Sequence, residues 1–171
     1  MTYVDCTVLN PYFASSIDSW TQYTATVSWS AAEGHTAVGA LSIDVGGGAA
    51  TQSITIPAAT NWVRLRFWAK GTVGGELDYT FGNVSTAPVI VVPITSGEWT
   101  SYEHEFPYLA DGTVIFFNAD AWNEAIYIDD VSVLASNDPL SDEDWTKSPH
   151  VDPSAGTRRL LHPLHESRFR H

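Results

Sequence analysis

Between residues 22 and 134 the chain is a succession of short runs in which apolar and polar residues alternate. Such alternation is typical of half-buried strands, and glycine-rich or polar turns about every 8 to 12 residues are typical of sandwiches and barrels. The clearest run extends from residue 62 to residue 70, and its apolar residues fall on one face: Val63, Leu65, Phe67 and Ala69. No segment shows a sustained helical period, so the pattern predicts an all-β protein.

The last convincing strand, Ile126 to Leu134, carries two adjacent carboxylates in an otherwise apolar run. Successive side chains of a strand point to opposite faces, so if Val131 packs into the core, Asp129 shares its side and Asp130 faces out. A buried carboxylate requires hydrogen-bond donors or a bound cation. We therefore predict that Asp129 lies on the core side with one of these partners.

Length and charge narrow the class of protein. A chain of 171 residues can bury one sizeable core, and its single cysteine, Cys6, excludes an intrachain disulfide. A net charge of −12 argues against nucleic acid or an anionic membrane as a partner. No apolar run is long enough to span a bilayer, and no secretion signal is visible. These features favour an uncharged ligand or a place in a larger assembly.

The composition changes after Ala135. Four prolines, an acidic cluster at residues 142–144 and an arginine-rich end follow. Such a segment cannot bury enough apolar surface to fold alone. We predict a sandwich over residues 1–135 and an extended, irregular C-terminal arm over residues 136–171 that docks on the domain or on a neighbouring subunit.

The outer face of the 62–70 strand is the strongest functional signal. Five side chains are predicted to project from it: Trp62, Arg64, Arg66, Trp68 and Lys70. Aromatic rings stack on the C–H face of a pyranose and planar polar groups bond its hydroxyls, so this mix suits a glycan. Glu76 and Asp78, outward on the next strand, are candidate acceptors or partners of the arginines, and Trp122 is a candidate in a polar loop. The alternatives are a solvated face with cross-strand ion pairs and a protein interface.

Four segments together resemble a known family: Asn10 to Trp20, Glu33 to Ser42, Arg64 to Lys70 and Ile128 to Val131. In this order, over about residues 5 to 135, the chain resembles carbohydrate-binding modules of the galactose-binding-like jelly-roll type. The resemblance implies an antiparallel β-sandwich, non-catalytic glycan binding and a structural calcium ion. It also places Trp20 and Trp99 in the core, which for Trp99 requires a bulge before Phe106.

The calcium prediction rests on three residues. Asp129, a carbonyl near Asn10 and the Glu33 carboxylate would supply the oxygen ligands that calcium favours. The alternative is that Asp129 accepts backbone hydrogen bonds and no ion binds. An enzyme is not expected, although Glu103 and Glu105 share a strand face at about the spacing of an acid pair.

The setting is predicted from the remaining features. The chain begins with Met, shows no signal and carries an arm, which fits a phage virion protein, in the tail or decorating the capsid, that contacts host cell-surface glycan. Residues 136–171 would then bind other virion proteins or form an oligomer. The alternatives are a purely structural virion protein without sugar binding, and an extracellular module of a secreted polysaccharide-degrading system.

Overall fold

A computed structural model describes residues 3–23, 26–44, 47–118 and 125–139, and the regular structure within them consists of β-strands. The strands are β1 (Tyr3–Cys6), β2 (Thr21–Gln22), β3 (Val27–Ser30), β4 (Ala40–Ile43), β5 (Gly48–Ser53), β6 (Trp62–Lys70), β7 (Glu76–Phe81), β8 (Ile90–Pro93), β9 (Thr100–Pro107), β10 (Thr113–Asn118) and β11 (Ile126–Ser136). These residues contain no helix that could cross a membrane.

The strands form two antiparallel sheets. The first sheet has the order β3-β4-β11-β6-β9, with β1 also paired to β11, and the second has the order β2-β5-β10-β7-β8. The predicted antiparallel sandwich is confirmed. Chain neighbours such as β6 and β7 lie in different sheets, because the segment between them crosses the sandwich.

An aromatic core fills the space between the sheets. The predicted inward residues of β6 are fully buried, and Phe67 reaches across to Phe116 and Tyr79 of the second sheet at ring-centroid distances of 4.7 and 4.9 Å. Both contacts are edge-to-face, a geometry worth about 0.5 to 1.5 kcal/mol beyond burial alone. Trp20 is buried as predicted. Cys6 is buried as well, and burial raises the pKa of its thiol to about 11.

Strand β11, at the centre of the first sheet, contains a bulge that reverses the phase of its side chains. Its register on β6 pairs Asp129 with Trp68 but Ser132 with Arg66, so β11 holds one extra residue in between. Asp130 adopts the left-handed conformation there, with φ +51°. Directly paired residues share a face of a sheet, so Asp129 projects on the outer side with Trp68.

The prediction for Asp129 is therefore wrong about the face of the sheet on which it lies, and right about its burial. Val131 and Val133 point into the core as expected, but the bulge separates their phase from that of Asp129. Asp129 is fully buried nevertheless. It is covered on the outside of the sheet by the segment that contains His35.

The described sandwich extends slightly past the predicted boundary at residue 135. Ser136 is the last residue of β11, and its carbonyl accepts a hydrogen bond of 3.0 Å from the Asn61 backbone. The Asn61 side-chain amide donates to the Asn137 carbonyl at 2.9 Å. Residues 140–171, most of the predicted arm, lie outside the described residues.

Candidate functional site

Residues 31–39, here called the cover loop, lie over the end of β6 that carries Trp68 and Lys70. The His35 ring stacks on Trp68 with a centroid distance of 3.8 Å and an interplanar angle of 17°. Glu33 Oε2 lies 2.5 Å from Lys70 Nζ. One face of the Trp68 ring and the Lys70 ammonium, both predicted to contact a sugar, thus have partners within the protein.

Two adjacent carboxylates hold the cover loop on β11. Asp129 Oδ2 accepts the His35 backbone N–H at 2.8 Å, and Asp129 Oδ1 accepts the Asp130 N–H at 2.8 Å. Asp130 Oδ2 lies 2.5 Å from His35 Nδ1, and Asp130 Oδ1 accepts the Thr36 hydroxyl at 2.7 Å. Burial raises the pKa of Asp129 to about 6, although the backbone donors oppose the shift. The paired aspartates therefore anchor the loop that covers Trp68.

Trp99 belongs to this cluster and not to the core, so its predicted position is wrong. The register between β6 and β9 runs without a break from Trp62 opposite Pro107 to Ala69 opposite Thr100. With no bulge in this ladder, Trp99 falls beside Lys70 and is only partly buried. Lys70 Nζ lies 5.8 Å from the Trp99 ring centroid and 5.9 Å from that of Tyr127.

The two arginines of β6 pair with the neighbouring strand β9. Arg64 is only 6% exposed, and its guanidinium nitrogens lie 3.4 Å from Glu103 and 3.5 Å from Glu105. Both acids considered for an enzyme therefore contact one buried cation. The Arg66 Nε donates to the Ser101 hydroxyl at 3.4 Å. This part of the face corresponds to the predicted alternative of cross-strand pairing.

The aromatic ends of β6 are far apart. Trp62 pairs with Pro107 and Ser136, six residues along the strand from Trp68, which corresponds to about 20 Å at the rise of a strand. The five predicted side chains thus divide into a covered end, a central group of ion pairs and a distant Trp62. They do not form one continuous platform.

Glu76 and Asp78 cannot contribute to a ligand bound at Trp68. They lie on β7, whose partners β8 and β10 belong to the second sheet. Their outward side chains therefore project from the opposite face of the sandwich, and their predicted place beside the arginines is wrong. Trp122 lies outside the described residues.

The structure brings the three predicted calcium segments together, but it commits the Asn10 and Glu33 side chains elsewhere. The Pro11 carbonyl accepts the Val131 N–H at 3.1 Å, next to Asp129. The Asn10 amide nitrogen, however, donates to loop carbonyls, and Glu33 pairs with Lys70. Among the described residues no three His, Cys, Asp or Glu side chains form a group suited to a metal. The donors that still fit a calcium ion are Asp129 and backbone carbonyls, and the ion stays a prediction.

A second face, which the sequence reasoning missed, is more open. On the outer side of the second sheet one row of paired residues crosses all five strands: Tyr23, Ala49, Phe117, Asp78 and Val91. Tyr23 extends the β2 register by donating its N–H to the Ala49 carbonyl at 3.0 Å. Tyr23 is 71% exposed and Val91 is 51% exposed, while Phe117 and Asp78 are half-buried.

This row is here called the Tyr23 row, and the residues next to it on one side are buried or half-buried. Five strands at about 4.8 Å spacing give it a length of about 19 Å. In the adjacent row Ile115 is half-buried, whereas Thr80 is fully buried and its hydroxyl donates to the Pro88 carbonyl at 2.8 Å. The pair Phe116-Phe117 was the available signal, because adjacent residues of a strand face opposite ways and one ring had to point outward.

The comparisons with known proteins concern the fold. Neither a protein-family model nor a curated protein sequence matches the chain. Among solved structures, the K3 cleaved adhesin domain of Lys-gingipain from Porphyromonas gingivalis W83 matches with a TM-score of 0.61 and 16% identity, over 78% of this chain and 99% of that chain. The module TmCBM61, solved in complex with β-1,4-galactotriose, matches with a TM-score of 0.58 and 17% identity, over 75% and 97%.

A phage protein also shares the fold. The enzymatically active domain of tailspike protein 4 from bacteriophage CBA120 matches with a TM-score of 0.57 and 19% identity, over 75% of this chain but only 21% of the tailspike chain. Likenesses at this level of identity establish the architecture and no more. The chain therefore has the jelly-roll fold of the carbohydrate-binding modules that it was predicted to resemble.

Proposed function

We propose that the protein is a non-catalytic glycan-binding β-sandwich whose ligand lies across the Tyr23 row. The observation that carries the proposal is the combination of a well-exposed Tyr23, a half-buried Phe117 and the Asp78 carboxylate in one register row. Aromatic side chains pack on the apolar faces of sugar rings, and a carboxylate accepts hydrogen bonds from hydroxyl pairs. The galactotriose bound to TmCBM61 adds support from a protein of the same fold.

The Trp68 face is the second candidate. Trp99 adds a ring beside Trp68 and Lys70 that the sequence did not predict. A sugar would have to displace His35 from the Trp68 ring and compete with Glu33 for Lys70. In the Tyr23 row, by contrast, Tyr23 is 71% exposed and Val91 is 51% exposed, which is why this row ranks first.

The proposed setting is a phage virion, with host cell-surface glycan as the ligand. The tailspike likeness supports this setting, and residues 136–171 would tie the protein to its neighbours. The first alternative is a purely structural virion protein, which would have the same fold but would not bind sugar. The second is an extracellular module of a polysaccharide-degrading system, which would bind sugar but would not belong to a virion.

A glycan array followed by calorimetric titration tests the site. Tyr23→Ala should weaken binding to an array hit about tenfold, which corresponds to about 1 to 2 kcal/mol for one stacking ring. Trp68→Ala is the matched control and should leave the affinity unchanged. The reverse pattern would move the ligand to the first sheet, and no array hit for the folded protein would reject glycan binding. Because Tyr23 is largely exposed, its replacement should leave the melting temperature close to that of the wild type.

A further inference from the structure

His35 of the cover loop fills an aromatic corner on the outer face of the first sheet. Its ring stacks on Trp68 at a centroid distance of 3.8 Å, and the Trp99 ring meets it edge-on at 5.9 Å and 60°. A pyranose ring suits the same corner, because indole rings pack on its C–H faces. Both tryptophans are only half-buried with the loop in place. The corner therefore lies at the surface and is filled by a residue of the chain itself.

The polar groups around this corner are of the kind that recognises hydroxyls. Asp129 accepts a backbone N–H of the loop, and Asp130 accepts the Thr36 hydroxyl. The Lys70 ammonium lies against the Glu33 carboxylate. Carboxylates accept hydrogen bonds from sugar hydroxyls, and an ammonium donates hydrogen bonds to them. A neutral sugar, which combines an apolar ring face with hydroxyl donors and acceptors, can therefore replace each of these contacts.

The cover loop is closed on itself by its own backbone. The Gly39 N–H donates to the Glu33 carbonyl at 2.8 Å. The turn between them is tight, because a Cβ on Gly34 would lie 1.8 Å from the Ala37 carbonyl oxygen. The outer side of the loop faces water, and Val38 there is 67% exposed. The loop can thus move off the sheet as a unit that keeps its own turn, and the contacts broken are those that a sugar can replace.

We propose that the corner formed by Trp68, Trp99, Lys70, Asp129 and Asp130, here called the Trp68 corner, is a second site for neutral sugars that the cover loop keeps closed by occupying it in place of the ligand. Because loop and sugar compete for the same groups, the measured affinity of the corner is its intrinsic affinity multiplied by the fraction of molecules with the loop open. The proposal goes beyond the proposed function, which places the ligand at the Tyr23 row on the other sheet.

Calorimetric titration of the full chain with β-1,4-galactotriose, cellotriose and mannotriose tests the proposal. Tyr23→Ala weakens the row, so binding in this background reports the corner. Adding His35→Ala should raise the affinity for at least one trisaccharide about tenfold or more, because the Trp68 ring no longer has to lose an internal partner. Adding Trp68→Ala as well should remove the gain. Val38→Ala, on the outer side of the same loop, is the matched control and should leave the affinity unchanged.

Two further measurements do not depend on the folding of His35→Ala. Glu33→Gln releases Lys70 while His35 stays in place, and it should raise the affinity a few-fold in the Tyr23→Ala background. The Trp68 ring shifts the NMR signals of the His35 ring protons, and Trp68→Ala gives their position without this stacking. A saturating trisaccharide should move the His35 signals of the Tyr23→Ala protein toward that position.

The outcomes separate this proposal from the proposed function. Equal affinities of Tyr23→Ala with and without His35→Ala or Glu33→Gln would overturn the closed site, while a loss of wild-type binding in Tyr23→Ala would still support the row. A gain that survives Trp68→Ala, or a saturating sugar that leaves the His35 signals in place, would also overturn the closed site. Binding that appears only when His35 is replaced would support the corner and count against the row.

Discussion

Asp129 should make the protein less stable as the pH rises from about 4 to about 6. Its carboxyl is buried on the outer side of β11, and burial raises its pKa from 3.8 to about 6 in the folded protein. In the unfolded chain the group is solvated and keeps an ordinary value. The folded state therefore binds this proton more tightly than the unfolded state, and the stabilisation that protonation gives is lost as the pH rises through the folded pKa.

The magnitude follows from the difference between the two pKa values. A difference of one between the folded and unfolded pKa values corresponds to about 1.4 kcal/mol. A difference of about two therefore changes the free energy of unfolding by about 3 kcal/mol between the protonated and ionised limits. The contribution should be complete below about pH 4 and absent above about pH 6. The two backbone N–H donors limit how far the pKa of Asp129 rises, because they stabilise the ionised carboxylate.

Denaturant unfolding of the wild type and of Asp129→Asn, measured across this range in a chelating buffer, isolates the effect. Asparagine does not titrate, so the free energy of unfolding of the variant should lack the fall. The difference between the two proteins removes the contributions of the other groups that act electrostatically on or near Asp129, namely His35, Asp130, Tyr12 and Asp5. Parallel pH curves for the two proteins would refute the argument that Asp129 is held in a desolvated site.

Three further predictions concern the fold and its ends. Gly39→Ala should lower the free energy of unfolding by about 2 kcal/mol or more, because the added Cβ would lie 2.2 Å from the Phe13 carbonyl oxygen. Gly74→Ala, which is also at positive φ but has open space around it, should lower it by about 1 kcal/mol in the same denaturation assay. If Asp129 and backbone carbonyls bind calcium, the melting temperature should rise from chelator to millimolar calcium in the wild type but not in Asp129→Asn, and equal melting temperatures would end the calcium prediction. Truncation after Pro139 should leave the melting transition nearly unchanged and abolish assembly into an oligomer or particle, while a truncated chain that fails to fold would show that the arm packs on its own sandwich.

The sequence predicted the parts of the fold that depend on local periodicity. The inward face of β6 and the all-β architecture follow from alternation, because burying one side of a strand imposes a period of two wherever the strand is regular. The face on which Asp129 lies was predicted wrongly because the strand is irregular at a single position. Asp130 takes the left-handed conformation, which aspartate adopts more readily than most residues, but one aspartate in an alternating run does not identify a bulge.

The sheet assignment of β7 could not be predicted for a different reason. Strands β6 and β7 both alternate well, and alternation says which side faces the core but not which sheet a strand joins. The residues between them are compatible with a hairpin and with a crossing of the sandwich. That ambiguity placed Asp78 beside Arg64, whereas the structure places it with Phe117. The stacking of His35 on Trp68 was equally hidden, since it depends on a contact between distant segments.

Strand β11 also dictates when the first sheet can form. It pairs with β1, β4 and β6, and the pair formed by Tyr3 of β1 and Ser136 of β11 joins opposite ends of the sandwich sequence. During synthesis the strands that flank it must wait, with their edges unpaired, until the last strand of the sandwich leaves the ribosome. Pairings so distant in sequence carry a large loop-closure entropy and slow the folding of β-sandwiches to milliseconds or longer. The first sheet is thus completed only after translation of residues 126–136, and a nascent chain stalled before residue 126 would leave the backbone edge of β6 that pairs with β11 open to other chains.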